Sequence, residues 1–312
     1  MLSRTRRFLR WLSRATRATP RARGKSRYLL RRYAGSAGAR DYKVFIPSSW
    51  HGGGPLVVML HGCRQGPDDL AAGTRMNTVA EEQGFLVAYP AQSRLANGLR
   101  CWNWFEPAHQ GRGAGEPAIL AGIANEVAEA FRVDRRRIFV AGLSAGGAMA
   151  AVLGETYPEL FAAVGVHSGV PYGAASDLRS ALAVMAGKSS RPRTGAARMI
   201  AFHGDRDATV HHDNGMVPVA QPASKLGWVH RERAVDVLTG EENGRQYTRT
   251  VLKDASGRLL QEHWLVHGAG HAWTGGSTKG SYADARGPDA SREMLRFFGA
   301  VAAQDQPVMP AA

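Results

Sequence analysis

The stretch Arg137-Ile-Phe-Val-Ala-Gly142-Leu-Ser144-Ala-Gly146-Gly-Ala-Met149 decides the fold. An apolar, β-prone run leads into Gly-x-Ser-x-Gly, and a segment of small residues with helical character follows. A strand, a tight turn and a helix in this order are the context of a nucleophile elbow, where the turn holds the serine in strained backbone geometry. Gly142 and Gly146 supply the small neighbours that this turn requires. The alternative is a glycine-rich strand-to-helix junction in another doubly wound sheet.

Hydrophobic runs along the rest of the chain predict strands that alternate with helices. We expect buried strands at 56–60, 85–89, 162–166 and 199–202, an edge strand at 41–46, and a hairpin over 247–253 and 260–266. We expect helices at 68–83, 116–131 and 291–301, an irregular excursion over 170–197, and no clear assignment for 211–245. This alternation predicts an α/β fold with one doubly wound, mostly parallel sheet. The predicted single domain covers 41–302, between a basic extension (1–40) and a C-terminal tail (303–312).

The net charge of +14 is concentrated at the start of the chain. Residues 1–40 hold 13 of the 40 Lys and Arg and no acid, which leaves 27 basic against 26 acidic residues in the remainder. The domain is therefore close to neutral, and we expect no nucleic-acid partner because it lacks a basic face. We expect the extension to be disordered, since segments of such biased composition lack a packed core. The alternative is a short amphipathic helix that docks on a granule or an anionic membrane.

A serine nucleophile needs a base within hydrogen-bond reach and a group that orients the base. On sheets of this kind the chain order is serine, then Asp or Glu, then histidine, all on loops at the carboxyl ends of strands. Ser144 ends one predicted strand, Asp207 follows a later strand, and His271 follows the last. We therefore expect these three residues to form a catalytic triad. Asp205 is the alternative acid, with a turn or N-cap role otherwise.

Acyl transfer also needs hydrogen-bond donors for the developing oxyanion. The backbone N–H of Ala145, directly after the serine, is one expected donor. The second is expected from the loop after the 56–60 strand, through the backbone N–H of Cys63.

We expect the other candidate histidines to be structural or solvated: His203, His211, His212, His263 and His267. Their spacings indicate no metal site.

Five motifs occur in order along the chain: His61-Gly-Cys-x-Gln65, Cys101-Trp-Asn-Trp-Phe105, Gly142-Leu-Ser-Ala-Gly146-Gly, His203-Gly-x-x-Asp207 and Gly270-His271-Ala-Trp273. Together they resemble the polyhydroxybutyrate depolymerase-like esterases, a group that also contains feruloyl esterases. The resemblance implies an α/β-hydrolase fold, a triad of Ser144, Asp207 and His271, no cofactor, and hydrolysis of carboxylic esters. It also implies a disulfide between Cys63 and Cys101 that ties the oxyanion loop to the Trp loop.

Three readings of the function follow from these patterns. The first is a serine esterase for hydroxyalkanoate oligomers or polyester, and the second is a feruloyl or short-chain esterase. The third is a binding protein on a hydrolase scaffold, docked to granules or membrane through residues 1–40. Trp102, Trp104 and Trp273 are candidates to line an apolar acyl or polymer-chain cleft, and core packing is their alternative role.

The expected location depends on two signals that disagree. No secretory signal is visible in the sequence, which favours the cytoplasm or a granule surface. A bridge between Cys63 and Cys101 would instead favour secretion, because disulfides persist in oxidising compartments.

Overall fold

The computed structural model describes residues 24–188, 197–215 and 234–305. The strands of its main sheet are β1 (Arg27–Gly35), β2 (Gly38–Ile46), β3 (Leu56–Leu60), β4 (Leu86–Pro90), β5 (Ile138–Leu143), β6 (Ala163–His167), β7 (Met199–Gly204), β8 (Ala234–Glu242), β9 (Arg245–Lys253) and β10 (Leu259–Val266). They lie in the order β1-β2-β4-β3-β5-β6-β7-β10-β9-β8. The six strands from β4 to β10 in this order pair in parallel, and antiparallel strands flank them on both sides. The predicted doubly wound, mostly parallel sheet is confirmed.

Helices cover both faces of the sheet. They are α1 (Pro67–Thr74), α2 (Met76–Gln83), α3 (Gly115–Ala130), α4 (Ala145–Thr156), α5 (Leu178–Met185) and α6 (Ala290–Gln304). One hydrophobic cluster joins the sheet to α3 and α4, and a second joins it to α1, α2 and α6. Along β3, Val58 belongs to the first cluster, whereas Val57 and Met59 belong to the second. Successive side chains of a strand point to opposite faces, so strands buried on both faces are apolar throughout.

The structure corrects the predicted domain boundary at residue 40. Strand β1 pairs with β2 in a register from Arg27–Ile46 to Gly35–Gly38, so the sheet begins inside the basic segment. The expected edge strand at 41–46 is consequently the second strand, and β1 is the edge. Most of β1 is exposed on both faces, which removes the alternation that identifies a strand from sequence.

Other elements also differ from expectation. The helical segment predicted at 68–83 is two helices, because Arg75 adopts a left-handed backbone conformation with φ 55°. Helix α5 lies within the excursion that we expected to be irregular, and β8 lies within the unassigned segment 211–245. The predicted hairpin is confirmed as β9 and β10, which pair antiparallel.

The ends of the chain bear on two predictions. The proposed amphipathic or disordered segment over 1–23 and the last residues of the C-terminal tail, 306–312, lie outside the described residues. Residues 303 and 304 belong to α6, so this helix extends into the predicted tail. In the part of the chain that is described, no helix has the length and apolar character needed to cross a bilayer.

Candidate active site

Ser144 occupies the turn between β5 and α4. Its backbone has φ 57° and ψ −120°, a conformation that non-glycine residues rarely adopt. The Ser144 N–H donates a 2.8 Å hydrogen bond to the carbonyl of His167, at the end of the neighbouring strand β6. This bond and the first turn of α4 hold the serine at the carboxyl end of the sheet.

Two glycines allow the turn to close. A Cβ atom on Gly146 would lie 2.1 Å from the carbonyl oxygen of Leu60, and one on Gly142 would lie 2.4 Å from the Gly146 carbonyl. Any side chain at either position would collide with backbone. The glycines are therefore a steric requirement of the elbow, in agreement with the sequence pattern.

His271 and Asp207 are in direct contact. The His271 Nδ1 atom lies 2.7 Å from Asp207 Oδ2, while Asp207 Oδ1 accepts hydrogen bonds from the amides of Thr209 (2.9 Å) and Val210 (2.8 Å). Burial alone would raise the pKa of Asp207, but the hydrogen bonds from His203, His271 and the backbone outweigh it and hold the pKa well below its ordinary value. Asp207 is therefore an ionised acceptor that orients the His271 ring.

His203 is a second histidine beside the same carboxylate. Its Nε2 atom donates to the carbonyl of Val210 at 2.8 Å and lies 3.4 Å from Asp207 Oδ2. The side chain is buried in β7, and it approaches the same carboxylate oxygen as His271. From sequence we expected His203 to be structural or solvated, although it begins the His-Gly-x-x-Asp motif.

Asp205, the alternative acid, contacts a different histidine. Its Oδ2 atom lies 2.9 Å from His267 Nδ1, and its Oδ1 atom accepts the Gly268 amide at 2.7 Å. His267 Nε2 in turn contacts the Thr248 hydroxyl at 3.0 Å. The structure thus joins His271 to Asp207, and it assigns Asp205 to a separate pair that fixes the turn after β10.

His167 links the serine to the segment that carries His271. While its carbonyl accepts the Ser144 amide, its Nε2 atom accepts the Thr274 amide at 3.1 Å, and its ring stacks on Trp273 at 5.0 Å. Burial lowers the pKa of His167 to about 3, so the ring is neutral. Because Nε2 is an acceptor, the ring proton is on Nδ1 and faces the Ser168 hydroxyl at 3.1 Å. The hydrogen bonds of the described residues do not join Ser144 directly to His271, a contact that often tightens only when substrate is bound.

The loop after β3 lies against the elbow. A Cβ atom on Gly62 would be 3.5 Å from Ser144 Cβ, and the Gly62 amide donates to Gln65 Oε1 at 2.9 Å. Cys63 follows in this loop, and its sulfur is bonded to that of Cys101. Within the described chain, the amides of Cys63 and Ala145 donate to no protein acceptor, and Ala145 is the first residue of α4. Both amides are available to an oxyanion beside Ser144.

The chain matches the family described as Esterase PHB depolymerase over residues 41–223. It belongs to this family. The match covers most of β2, the β3 loop, the elbow and the Asp207 segment, but not His271.

Two relatives of the chain differ in the share of their own length that the chain covers. Poly(3-hydroxyalkanoate) depolymerase C of Paucimonas lemoignei is 31% identical over 241 residues, which are 72% of this chain and 56% of the relative. Feruloyl esterase B of Neurospora crassa is 27% identical over 279 residues, 83% of this chain and 87% of the relative. The chain therefore spans little more than half of the depolymerase and most of the feruloyl esterase.

A solved structure agrees with the fold. The acetyl xylan esterase from Aspergillus awamori superposes with a TM-score of 0.64 at 20% sequence identity, covering 87% of this chain and 99% of that chain. With its central parallel sheet and helices on both faces, this family member has the α/β-hydrolase fold.

The three tryptophans expected at a cleft are buried in this esterase family member. Trp102, Trp104 and Trp273 expose 0%, 7% and 1% of their surface. The Trp102 indole N–H donates to the carbonyl of His61 at 3.1 Å, and that of Trp273 donates to the Ser291 hydroxyl at 3.1 Å. Of the two roles weighed from sequence, core packing fits their burial, because they present almost no surface to a substrate.

One cluster of potential metal ligands lies after Asp207. The side chains of His211, His212 and Asp213 bring their donor atoms within 4.8 Å of one another. Asp213 is exposed, and its carboxylate lies 3.4 Å from His211 Nδ1 and 3.6 Å from His212 Nε2. Side chains at a surface often approach in this way without a metal, and we assign no ion to them.

Proposed function

We propose that this chain is a serine carboxylic ester hydrolase in which Ser144 is the nucleophile, His271 the general base and Asp207 the residue that orients the base. The observation that carries the proposal is the 2.7 Å contact between His271 Nδ1 and Asp207 Oδ2 on loops adjoining the Ser144 elbow. Membership of the esterase family supports it.

The first step would form an acyl-enzyme. Ser144 Oγ attacks the ester carbonyl while His271 Nε2 takes its proton, and the Asp207 carboxylate stabilises the resulting imidazolium. The negative charge on the carbonyl oxygen is held by the backbone amides of Cys63 and Ala145. Collapse of the tetrahedral intermediate expels the alcohol, which receives the proton from His271.

The second step would release the acid. A water molecule attacks the acyl-enzyme, His271 again acts as the base, and Ser144 is regenerated with its proton. No cofactor is needed for either step, because the chain's own residues supply the nucleophile, the base and the oxyanion donors.

The substrate class that we propose first is the hydroxyalkanoate ester, as an oligomer or as amorphous polyester. The similarity to a poly(3-hydroxyalkanoate) depolymerase supports it. A feruloyl or short-chain ester is the second candidate, because the chain covers 87% of the Neurospora crassa feruloyl esterase. Initial rates on hydroxybutyrate oligomers, methyl ferulate and p-nitrophenyl butyrate would distinguish the two, and a preference for methyl ferulate over the oligomers would reject the first.

Replacement of the nucleophile tests the reaction class. We expect Ser144→Ala to lower kcat for p-nitrophenyl butyrate by roughly 10⁴- to 10⁶-fold, because the attacking oxygen is lost. Ser256→Ala is the control, since Ser256 lies in the turn between β9 and β10, at the opposite end of β10 from His271. Full activity of Ser144→Ala, with correct folding by circular dichroism, would reject the proposed mechanism.

The basic extension has a separable proposed role. We propose that residues 1–23 attach the enzyme to an anionic granule or membrane surface through their arginines. Deletion of 1–23 leaves β1 intact, whereas deletion of 1–40 would remove it. Loss of sedimentation with anionic vesicles or hydroxybutyrate granules, with esterase activity retained, is the expected result. Unchanged sedimentation would reject the role, and a wild type that binds granules but hydrolyses no ester would favour the binding-protein reading.

A further inference from the structure

Glu116 is a buried carboxylate that the proposed triad does not use. It lies in the first turn of α3, exposes 1% of its surface, and faces the loop that carries Cys101 and Trp102. Its Oε2 atom accepts the Asn103 amide at 2.8 Å, and its Oε1 atom accepts the Asn103 side-chain amide at 2.9 Å. These contacts fix the loop at the position that follows Trp102.

The same carboxylate also holds Gln92 and approaches a cation. The side-chain amide of Gln92 donates to Glu116 Oε1, and the Arg40 guanidinium lies 3.7 Å from that atom. Arg40 Nε donates to Gln92 Oε1 at 3.1 Å, and the Gln92 side chain also donates to the Cys101 carbonyl at 2.9 Å. Each of the polar groups named around Glu116 is therefore a donor, which is an environment made for a carboxylate.

One route runs from this cluster to the oxyanion loop through His61. The backbone N–H of Gln92 donates to His61 Nε2 at 3.1 Å, and His61 Nδ1 donates to the carbonyl of Gly62 at 2.8 Å. Burial lowers the pKa of His61 to about 4, so its ring carries a single proton. Because Nε2 is an acceptor, that proton is on Nδ1 and orients the peptide that joins Gly62 to Cys63.

A second route runs through the loop that Glu116 holds. Cys101 is covalently bonded to Cys63, and the Trp102 indole donates to the His61 carbonyl at 3.1 Å. Displacement of residues 101–103 would therefore pull on the β3 loop on both sides of Gly62, through the Cys63 sulfur and through the His61 carbonyl.

We propose that Glu116 is a positioning residue of the oxyanion hole, which sets the direction of the Cys63 amide through Gln92 and the 101–103 loop without touching the substrate. The inference rests on the proposed function, because it concerns the oxyanion of the Ser144 reaction. An amide aimed at the developing oxyanion acts mainly in the transition state, so its misalignment lowers kcat and leaves KM nearly unchanged.

Glu116→Gln is the informative substitution. It keeps the shape of the side chain but replaces one oxygen by an NH₂ group. If the NH₂ group takes the place of Oε2, it meets the backbone N–H of Asn103. If it takes the place of Oε1, it meets the side-chain amides of Asn103 and Gln92. In either orientation donor faces donor, so the loop has to move.

Glu262→Gln is the matched control. Glu262 is equally buried, and it accepts hydrogen bonds from Arg249, Arg296 and the Trp264 indole. It lies on β10, four strands away from β3 in the sheet, and contacts α6 through Arg296. Both substitutions disturb a buried carboxylate network, but only one network reaches Cys63.

The experiment measures kcat and KM for p-nitrophenyl butyrate and the inhibition constant of butylboronic acid, a tetrahedral mimic of the acyl transition state. For Glu116→Gln we expect kcat to fall by about tenfold or more, the boronate affinity to fall by the same factor, and KM to stay within about twofold. For Glu262→Gln we expect a lower Tm with kcat per folded molecule within about twofold of wild type. Glu116→Asp, which keeps the charge, should recover part of kcat, and it replaces Glu116→Gln if the latter does not fold.

Besides wild-type activity in Glu116→Gln, two results would overturn the inference. One is an equal loss of kcat in Glu116→Gln and Glu262→Gln, and the other is a rise in KM with kcat and boronate affinity unchanged. The wild-type enzyme tested in parallel separates this inference from the proposed function. If wild type hydrolyses no ester, the proposed function fails and takes the inference with it. If wild type is active and Glu116→Gln equals it, only the role of Glu116 is rejected.

Discussion

Asp207→Asn should reveal how the carboxylate sets the tautomer of His271. The asparagine oxygen can replace Oδ1 and accept the amides of Thr209 and Val210, which leaves its NH₂ group facing His271 Nδ1 and His203 Nε2. His203 Nε2 is committed as a donor to the Val210 carbonyl, so there donor meets donor. At His271 the NH₂ group donates to Nδ1 and drives the ring proton to Nε2.

That change of tautomer sets the magnitude. A His271 ring protonated on Nε2 cannot accept the Ser144 proton, and the charge that stabilises the imidazolium is also gone. Replacement of a triad aspartate in this way costs about 10⁴-fold in kcat, which corresponds to about 5.5 kcal/mol of activation free energy. Because the backbone contacts of Oδ1 persist, the fold should be retained.

The assay is kcat/KM for p-nitrophenyl butyrate, with Asp205→Asn as the control. Asp205 sits two residues away at the end of the same strand and also pairs with a histidine, but its partners are His267 and Gly268. We expect Asp205→Asn to stay within about tenfold of wild type, since it disturbs the loop without changing the His271 tautomer. Equal losses in the two variants, or Asp207→Asn within tenfold of wild type, would refute the reasoning.

Three further predictions concern stability and the elbow. Burial lowers the pKa of His61 to about 4, and it lowers the pKa of His167 and of His263 to about 3. Near pH 6.5 these histidines take up protons in the unfolded chain but not in the folded chain. As pH is lowered from 6.5 to about 4, the free energy of unfolding should therefore fall by up to about 1.4 kcal/mol per pH unit for each histidine. Urea titrations that show no slope across this range would contradict the prediction. The double variant Cys63→Ala/Cys101→Ala removes a bridge between residues 38 positions apart. Its free energy of unfolding, measured by urea titration, should be lower by about 4 kcal/mol. Unchanged stability would show that the bridge does not constrain the unfolded chain. Gly146→Ala places a Cβ atom 2.1 Å from the Leu60 carbonyl oxygen, so it should abolish activity and lower Tm. Gly299→Ala should do neither, because its Cβ atom would meet nothing within 4 Å beyond its own helix backbone. An active, stable Gly146→Ala enzyme would refute the steric account.

The parts of the fold that sequence predicted are those in which local pattern and burial agree. Strand β3 is apolar at every position because both of its faces are covered, and its end was marked by His61-Gly62. The elbow was visible because Gly142 and Gly146 flank the serine in a local pattern, although the contact that requires Gly146 comes from Leu60 in β3. The order of Ser144, Asp207 and His271 could be proposed because chain order fixes which strand end each residue follows.

The rest depended on contacts that no local pattern encodes. The exposed strand β1 lacks alternation, and the break at Arg75 is a backbone conformation without a glycine to announce it. Glu116 looked like an ordinary residue of a helix start. Its partners are 13 and 24 positions away in the sequence, so only the folded chain shows that it is buried among donors.

The position of β10 has a consequence for biosynthesis. Strand β10 is synthesised late, and it pairs with β7 in the sheet. The segment after it brings His271 to Asp207, 64 positions away in the sequence, and Thr274 to His167, 107 positions away. A nascent chain that has already formed the elbow and the β3 loop would still lack His271, the proposed general base. Domains fold as units while they emerge from the ribosome, so the nucleophile would remain unactivated until nearly the whole sheet is complete.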